Sequence, residues 1–306
     1  MNWSERLKFR HLRLLVTLHE TRNLTMAADR MSMTQPALSK WLKELEDDLG
    51  FPLFVRHVRG ILPTSQGEVL VATAKVILNE LERTAGAMEL MSAGLQGKVH
   101  IGITPVAEAE LIPVSITSFM KDFPGATVNV TGNYLDALLP QLMDGRLDFV
   151  VSRLEDLDYS GELSQERLYA EKIAVVCNKK HPLLRKRTLG WQDMLQYPWI
   201  GPPRNSPLYR ELQHELALAN LPLPRIVVEG SSTILLTSIL ERSEMLSMVS
   251  SRTARYFVQS GRLSTLKFLP RRVNYVGVLR RKGRALDPLA EGYLNALRTA
   301  NSLTAP

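Results

Sequence analysis

The sequence predicts a multidomain fold with an all-α N-terminal domain, one long helix and a larger α/β region. Short helical patterns with charged faces run to about residue 65, and one uninterrupted helical pattern covers residues 66–94. From residue 98 to 303, β-branched runs such as KVHIGIT and KIAVVCN alternate with helical patterns such as PLYRELQHELALAN. This alternation predicts parallel sheets joined by crossover helices.

Composition limits the class of protein. The chain has 306 residues, of which 45% are hydrophobic and 23% are charged, so it can bury the cores of two or three folded domains. Its formal net charge of +7 permits a polyanionic partner but does not require one.

The first twenty residues, MNWSERLKFRHLRLLVTLHE, contain no uninterrupted apolar run, and no later segment has the length of a membrane span. We therefore expect a cytoplasmic protein with no membrane partner. The single cysteine, Cys177, excludes an intramolecular disulfide switch. The six histidines lack ligand spacing, so neither a metal nor a cofactor is expected.

Two consecutive helices joined by a tight turn are predicted after a first helix at Phe9–Thr21. The second helix starts at Thr25, and a turn follows at residues 32–33. Thr34 is a suitable N-cap, and Pro36 lies in the first turn, where a missing N–H has no cost. The pattern is that of a helix-turn-helix unit.

The helix after Thr34 has two distinct faces. Its apolar residues recur at helical spacing and are expected to point inward: Ala37, Leu38, Trp41, Leu42, Leu45 and Leu49. The outer face holds amide, hydroxyl and lysine groups: Gln35, Pro36, Ser39, Lys40 and Lys43. Such a face suits the major groove, because Gln35 and Ser39 can contact base edges while the lysines contact phosphates. Next, FVRHVRGILPTSQGE presents Arg56 and Arg59 on a hairpin-like wing. The alternative is that the helices simply pack in a core.

The stretch AADRMSMTQPALSKWLKELEDDLGFPLFVRHVRGILPTSQGE resembles the N-terminal domain of the LysR-type transcriptional regulators. It matches the alanine-rich second helix, the Thr-Gln-Pro-Ala-Leu-Ser start of the recognition helix, the Pro-Leu-Phe-x-Arg wing and the Thr-x-x-Gly entry to the linker. The resemblance implies a winged helix-turn-helix domain at residues 1–65, which binds double-stranded promoter DNA through Thr34 as well as the residues named above.

The long helix at residues 66–94 carries an apolar seam. Ser65 and Glu68 have the spacing of a capping box. Residues then recur at alternating steps of four and three, as in a heptad pattern: Leu70, Ala74, Ile77, Leu81, Thr84, Met88 and Met91. This seam either packs on its own domain or pairs with a second copy. The family implies a linker helix that dimerises, with dimers assembling into a homotetramer.

From about residue 98 the chain resembles the family's effector domain, which is similar to type 2 periplasmic binding proteins. The resemblance implies two α/β lobes, lobe I at 98–165 with 269–303 and lobe II at 166–268. Ligands of such folds bind at the carboxyl ends of strands, beside helix N-termini. The sequence supplies these candidates there: Thr104, Pro105, Asn133, Ser152, Arg153, Arg204, Asn205, Ser206, Ser232 and Thr233.

Each hydroxyl or amide in this set is either a helix cap or a ligand donor, and Arg153 and Arg204 are either ligand contacts or surface ion pairs. Taken together the groups favour a small organic anion, a carboxylate or a sulfonate. The expected function is therefore a sequence-specific DNA-binding transcriptional regulator that responds to such an effector and contacts RNA polymerase. The alternative is an effector-independent DNA binder whose C-terminal domain only oligomerises.

Two other classes are disfavoured. The sequence contains no G-x-S-x-G motif, P-loop or Rossmann fingerprint, so we do not expect an enzyme. A transport binding protein would share the two-lobed fold, but the N-terminal domain counts against it.

Overall fold

The computed structural model describes residues 3, 7–57, 60–92, 97–154, 161–204, 206–230, 232–268 and 273–303. The chain divides into two compact units. The N-terminal unit is Met1–Leu95 with Met143–Arg146, and the C-terminal unit is Gln96–Leu142 with Leu147–Pro306. Within the described ranges, no helix is both long and apolar enough to cross a membrane.

The N-terminal unit contains the predicted helix-turn-helix. Its first elements are the helices α1 (Phe9–Thr21), α2 (Leu24–Arg30) and α3 (Gln35–Leu49), followed by the strands β1 (Phe54–His57) and β2 (Gly60–Pro63). Helix α2 begins one residue before the predicted Thr25, because the Asn23 side chain accepts hydrogen bonds from the backbone N–H groups of Thr25 and Met26. Thr34 caps α3 as predicted, accepting from Ala37 N at 3.4 Å.

The core of this unit forms between α1 and α3. Leu38 and Leu42 of α3 are buried in one cluster with Leu15 and Leu18 of α1. The inward assignment of Ala37 is wrong, since that residue is exposed. It lies on the outer side of α3 with Pro36 and Lys40, whereas the next residue, Leu38, is buried in the core.

The long helix α4 spans Ser65–Ser92. The predicted capping box at Ser65 and Glu68 is wrong: Thr64 is the cap, and its Oγ1 accepts from Gly67 N at 3.0 Å. Glu68 instead pairs with His19 of α1, with Oε2 and Nε2 3.2 Å apart. The start of α4 is therefore tied to the helix-turn-helix core.

The first lobe of the C-terminal unit is built on a five-stranded sheet. Its strands are β3 (Gly97–Ile103), β4 (Ala126–Gly132), β5 (Phe149–Leu154), β6 (Leu163–Glu171) and β12 (Asn274–Arg281), in the spatial order β4-β3-β5-β12-β6. The helices of this lobe are α5 (Leu111–Asp122), α6 (Leu135–Met143) and the C-terminal α11 (Pro288–Leu303). Phe119, Phe149 and Tyr293 are fully buried at the centre of its core.

The second lobe has its own five-stranded sheet. The strands are β7 (Ile173–Cys177), β8 (Trp199–Gly201), β9 (Ile226–Glu229), β10 (Leu246–Ser250) and β11 (Ser264–Thr265), in the order β11-β7-β10-β8-β9. Its helices are α7 (Trp191–Met194), α8 (Pro207–Leu218), α9 (Thr233–Leu240) and α10 (Ser251–Gln259). Trp199 and Leu212 are buried where α8 covers the sheet.

Both sheets are mixed, which corrects the prediction of parallel sheets. Strand β3 pairs in parallel with β4 and β5, but β12 runs antiparallel to both β5 and β6. In the second sheet β8 is parallel to β9 and β10, whereas β7 is antiparallel to β10. The antiparallel strands β6, β7 and β12 flank the two passages of the chain between the lobes.

The change of lobe predicted between residues 165 and 166 falls inside β6. This strand pairs with β12 from Leu163 to Glu171, so it belongs wholly to the first lobe. The first crossing therefore lies between Glu171 and Ile173, where β6 ends and β7 begins. The predicted return at residues 268–269 lies at the edge of the described residues.

Candidate DNA-binding surface and inter-lobe cavity

The start of α3 presents a polar surface without acidic groups in its first turn. Gln35 Nε2 donates to Ser39 Oγ at 2.8 Å, which connects two of the predicted base-contacting residues across one helical turn. This bond gives the Gln35 amide a defined orientation. Thr34 and Pro36 are exposed beside it.

The predicted phosphate contacts lie further along the same helix. Lys43 is exposed, and the side chain of Lys40 is 80% exposed, 3.9 Å from the Glu44 carboxylate. An exposed pair at that separation contributes little and leaves the lysine able to contact a phosphate.

The predicted wing is a two-stranded hairpin of β1 and β2. Arg56 is exposed on β1, whereas Arg59 lies outside the described residues. Ile61 N donates to the Arg22 carbonyl at 2.9 Å, which attaches the hairpin to the end of α1. Gly60 makes that approach possible, because its φ is +115° and an added Cβ would lie 2.3 Å from the Arg22 oxygen.

The predicted dimerisation seam divides into two parts along α4. Ala74 is fully buried and Leu70 packs on the helix-turn-helix core, so the assignment of Ala74 to a subunit interface is wrong. These positions face α1, because the first turns of α4 complete their own domain. Further along, Ile77, Leu81 and Met88 are 39%, 37% and 60% exposed.

A cavity lies between the two lobes of the C-terminal unit, with an empty volume of about 880 Å³ including its open mouth. Its apolar wall comes mostly from the second lobe and includes Leu208, Leu236, Met248, Val249 and Phe257. Six of the predicted effector residues line it: Thr104, Pro105, Ser152, Arg153, Ser206 and Thr233. Ser152 and Arg153 lie within β5 rather than after it.

Helices of the second lobe begin at this cavity. Ser206 caps α8 and accepts from Tyr209 N at 3.2 Å. Ser250 caps α10 and accepts from Thr253 N at 3.1 Å. Two helix N-termini therefore lie beside the cavity, and the positive end of each helix dipole favours an anion there.

Three other predicted effector residues do not line the cavity. Asn133 is exposed, and its Oδ1 accepts from Tyr134 N at 2.8 Å. Ser232 caps α9 by accepting from Leu235 N at 3.3 Å. The Arg204 side chain is 80% exposed and lies 3.6 Å from Glu229, which is a surface ion pair. Asn205 lies outside the described residues.

Arg153 is the only charged side chain among the described residues that line the cavity. It is buried, and its Nη1 donates to Glu211 Oε2 of α8, an ion pair that connects the lobes. Asn274, the first residue of β12, donates through Nδ2 to both Glu211 oxygens at 2.8 and 2.7 Å. Arg153 is therefore at once a cavity residue and half of a buried ion pair.

A second set of polar contacts lies at the first crossing of the chain between the lobes. Ser251 N and Oγ donate to Glu171 Oε1 at 2.8 and 2.6 Å. Burial raises the pKa of the Glu171 carboxyl, with Ser251 and two arginines acting in the opposite direction. Nearby, the Arg252 guanidinium of α10 lies 3.6 Å from the centre of the Tyr169 ring. These contacts join the base of the second lobe to the first.

Sequence analysis missed several polar residues of the cavity: Tyr134, Ser247, Ser250 and Thr253. One signal was present, because MLSMVSSRT is a strand followed by serine at a helix start. Glu211 and Asn274 carried no such signal. Glu211 lies within the helix α8 and Asn274 at the start of the strand β12, and only the tertiary structure brings them to Arg153.

The comparisons with known proteins agree with this architecture. Residues 9–68 match the family model described as "Bacterial regulatory helix-turn-helix protein, lysR family", and residues 92–302 match "LysR substrate binding domain". The HTH-type transcriptional regulator GbpR of Azospirillum brasilense is 33% identical over 304 residues, which cover 98% of this chain and 89% of that protein.

Two solved structures share the fold. Full-length CbnR complexed with its target DNA aligns with a TM-score of 0.64 at 19% identity, covering 96% of this chain and all of that one. The effector binding domain of QuiR in complex with shikimate aligns with a TM-score of 0.57 at 16% identity, covering 69% of this chain and 99% of that one. The two family matches and the similarity to GbpR establish that the chain, with its winged helix-turn-helix and two-lobed domain, belongs to the LysR family of bacterial transcriptional regulators.

Proposed function

We propose that this regulator binds a small organic anion, a carboxylate or a sulfonate, in the inter-lobe cavity and thereby changes its action at promoter DNA. The observation that carries the proposal is Arg153, a buried guanidinium lining a cavity at which helices α8 and α10 also begin. A guanidinium and helix N-termini both favour a planar anionic group.

The rest of the cavity suits the body of such a ligand. Its wall is largely apolar, which favours a ring or a short hydrocarbon. Hydroxyls of Ser152, Ser206 and Thr233 are available for polar substituents. The ligand named for the QuiR domain, shikimate, is a hydroxylated ring carboxylate and so has the same chemical character.

We propose that α3 enters the major groove. Gln35 and Ser39 contact base edges, Lys40 and Lys43 contact phosphates, and Thr34 and Pro36 lie at the groove entrance. Arg56 and Arg59 of the wing contact the flanking backbone.

The active assembly is proposed to be a homodimer that pairs through α4 and associates further into a homotetramer. The exposed apolar residues Ile77, Leu81 and Met88 support such pairing. Two helix-turn-helix units related by a twofold axis would recognise an inverted repeat. Effector binding shifts the balance between lobe arrangements and so alters contact with RNA polymerase. The protein acts in the cytoplasm, by binding rather than by catalysis.

The test measures binding of the full-length protein to the DNA upstream of its own gene, using fluorescence anisotropy at two salt concentrations. Benzoate, benzenesulfonate and glucuronate are added in turn, with benzamide as the uncharged control. We expect tight binding that falls with salt and that at least one anion alters, whereas benzamide does not.

Binding that no ligand alters would instead favour the effector-independent alternative. Sedimentation of the same sample tests the assembly. A strict monomer at micromolar concentration that still binds this DNA tightly would contradict pairing through α4.

A further inference from the structure

We propose that Glu211 is a built-in competitor of the effector: in the empty cavity it holds the guanidinium that the effector's carboxylate requires. This inference rests on the proposed function, because it assumes that the cavity binds a carboxylate at Arg153. It goes beyond that function by naming the residue that sets the affinity for the ligand and the class of ligand that the cavity rejects.

Arg153 has one hydrogen-bonded partner among the described residues. Its Nη1 donates to Glu211 Oε2, and no bond from Nε or Nη2 to a described residue is present. The side chain lines the cavity, and Glu211 engages only one of its three nitrogens. The guanidinium can therefore donate two hydrogen bonds to an incoming carboxylate, which then competes with Glu211 for it.

Glu211 lies on the other side of Arg153. It is buried, does not line the cavity, and belongs to α8 of the second lobe. A ligand carboxylate would therefore compete with Glu211 for one positive charge in a site of low dielectric. Two carboxylates sharing one guanidinium repel each other, and this repulsion weakens ligand binding.

Asn274 allows Glu211 to give up Arg153. Its Nδ2 donates to both carboxylate oxygens, so Glu211 retains hydrogen bonds after the guanidinium turns to a ligand. A buried carboxylate without any partner would oppose that exchange strongly. The arrangement thus has two states: Arg153 is bonded to Glu211 when the cavity is empty, and to the effector when it is filled.

The competition also predicts the class of ligand. The described lining residues provide a single cationic side chain, which is already paired, and they include no lysine or histidine. A ligand with one carboxylate on an apolar body satisfies Arg153. A second carboxylate would meet Glu211 and no further cation, so dicarboxylates are rejected.

The experiment compares Glu211→Gln with the wild-type full-length protein, using benzoate and the isosteric, uncharged benzamide as probes. Calorimetric titration gives the two dissociation constants, and thermal denaturation gives Tm with and without each probe. We expect Glu211→Gln to lower Tm in the empty protein, because the Arg153 charge is left uncompensated. Benzoate should bind at least five-fold more tightly to this variant and restore its Tm, whereas benzamide affinity should change less than two-fold.

Glu229→Gln is the matched control, since it removes the carboxylate partner of an exposed arginine in the same lobe. It should leave both dissociation constants unchanged. If Glu211→Gln does not fold, Glu211→Asp keeps the charge but withdraws it by one methylene, and it should tighten benzoate binding to a smaller extent. The double variant Arg153→Gln/Glu211→Gln should bind benzoate and benzamide equally.

The two proposals fail in different ways. If wild type prefers benzoate over benzamide and Glu211→Gln leaves that preference unchanged, the competition is refuted and the anion-binding function stands. If wild type and variant bind the two probes equally or not at all, both proposals are refuted.

Discussion

The DNA-binding surface and the inter-lobe cavity differ in how the chain assembles them. The part of the candidate DNA-binding surface expected to contact bases comes from one short stretch, Thr34 to Lys43, at the start of a single helix. The cavity draws on positions from Thr104 to Phe257, contributed by both lobes. Residues that are close in the sequence reach one surface through helical periodicity. Residues that are far apart in the sequence meet in the cavity only because of the order of the strands in two sheets.

The two sites also use charge differently. The lysines of α3 are exposed, where water screens them and each is worth little to stability. Arg153 is buried with Glu211, so a substitution that removes either charge leaves the other buried without its counter-charge. Removing a charge from α3 should therefore mainly weaken DNA binding, whereas removing one from the cavity should mainly lower the stability of the protein.

The largest effect is expected for Arg153→Gln. It leaves Glu211 buried without its counter-charge and should lower the free energy of unfolding by about 3–5 kcal/mol. Arg204→Gln removes an exposed arginine from its ion pair and should cost about 0–1 kcal/mol. Urea denaturation gives the free energy of unfolding of both variants. Equally small losses would show that the buried and the exposed ion pair contribute alike to stability.

Leu38→Ala tests the inner face of the recognition helix. Leu38 is fully buried, so the cavity left behind should cost about 2–5 kcal/mol and abolish DNA binding. Val69→Ala, at a position 69% exposed on α4, should change stability by no more than about 0.5 kcal/mol. Benzoate binding to the C-terminal unit should persist in both variants. Its loss in Leu38→Ala would mean that the two sites are not independent.

Gln35→Ala and Lys43→Ala separate base contacts from phosphate contacts on the outer face. Losing Gln35 should reduce discrimination between sites by about 1–3 kcal/mol. Losing Lys43 should weaken binding to all sequences and reduce the salt slope by about 1. Anisotropy titrations on specific and scrambled DNA at several salt concentrations measure both quantities. Similar losses on every sequence would contradict this division.

The smallest expected effect concerns Glu171 at the lobe crossing. Burial raises its pKa above the unfolded value of 4.5, so the native state keeps a proton that the unfolded state has lost. The contribution of this group to stability therefore falls as pH rises from about 4.5 through the raised pKa. Glu171→Gln should flatten the decline of Tm as the pH rises above about 4.5.

Glu166 is the control with the opposite sign. The hydrogen bond from Arg298 lowers its pKa, so its stabilisation is present above pH 4.5 and is lost as pH falls through the lowered pKa. Glu166→Gln should therefore lower Tm at pH 7. If the Tm of Glu171→Gln has the same pH dependence as that of the wild type, the Glu171 carboxyl does not contribute to the pH dependence of stability.

The strands show where prediction from sequence reached its limit. The runs KVHIGIT and KIAVVCN are predicted as strands because both are rich in β-branched residues, and they form β3 and β7. LSQERLYAE was not identified, although it forms β6. It is an edge strand of mostly polar and charged residues, so its composition does not differ from that of a loop. Missing it placed the predicted lobe boundary at residue 165, inside the strand.

The cavity residues show a similar limit. Thr104 and Ser206 were identified because they lie where a strand ends or a helix begins, which is a local property. Arg204 shares that location but points outward to Glu229. Ala74 fits the heptad pattern of α4 yet is buried in its own domain. Spacing identifies the face of a helix but not which neighbour covers it.

The sequence by itself determined the helix-turn-helix, the long α4 and the regulator family, because caps, turns and helical periodicity are encoded within a few consecutive residues. Only the tertiary structure decided that Glu211, more than fifty positions away in the chain, holds Arg153. That contact requires both lobes to be folded and packed together, because only their packing removes the two charges from water and places them within bonding distance, and no local pattern records this.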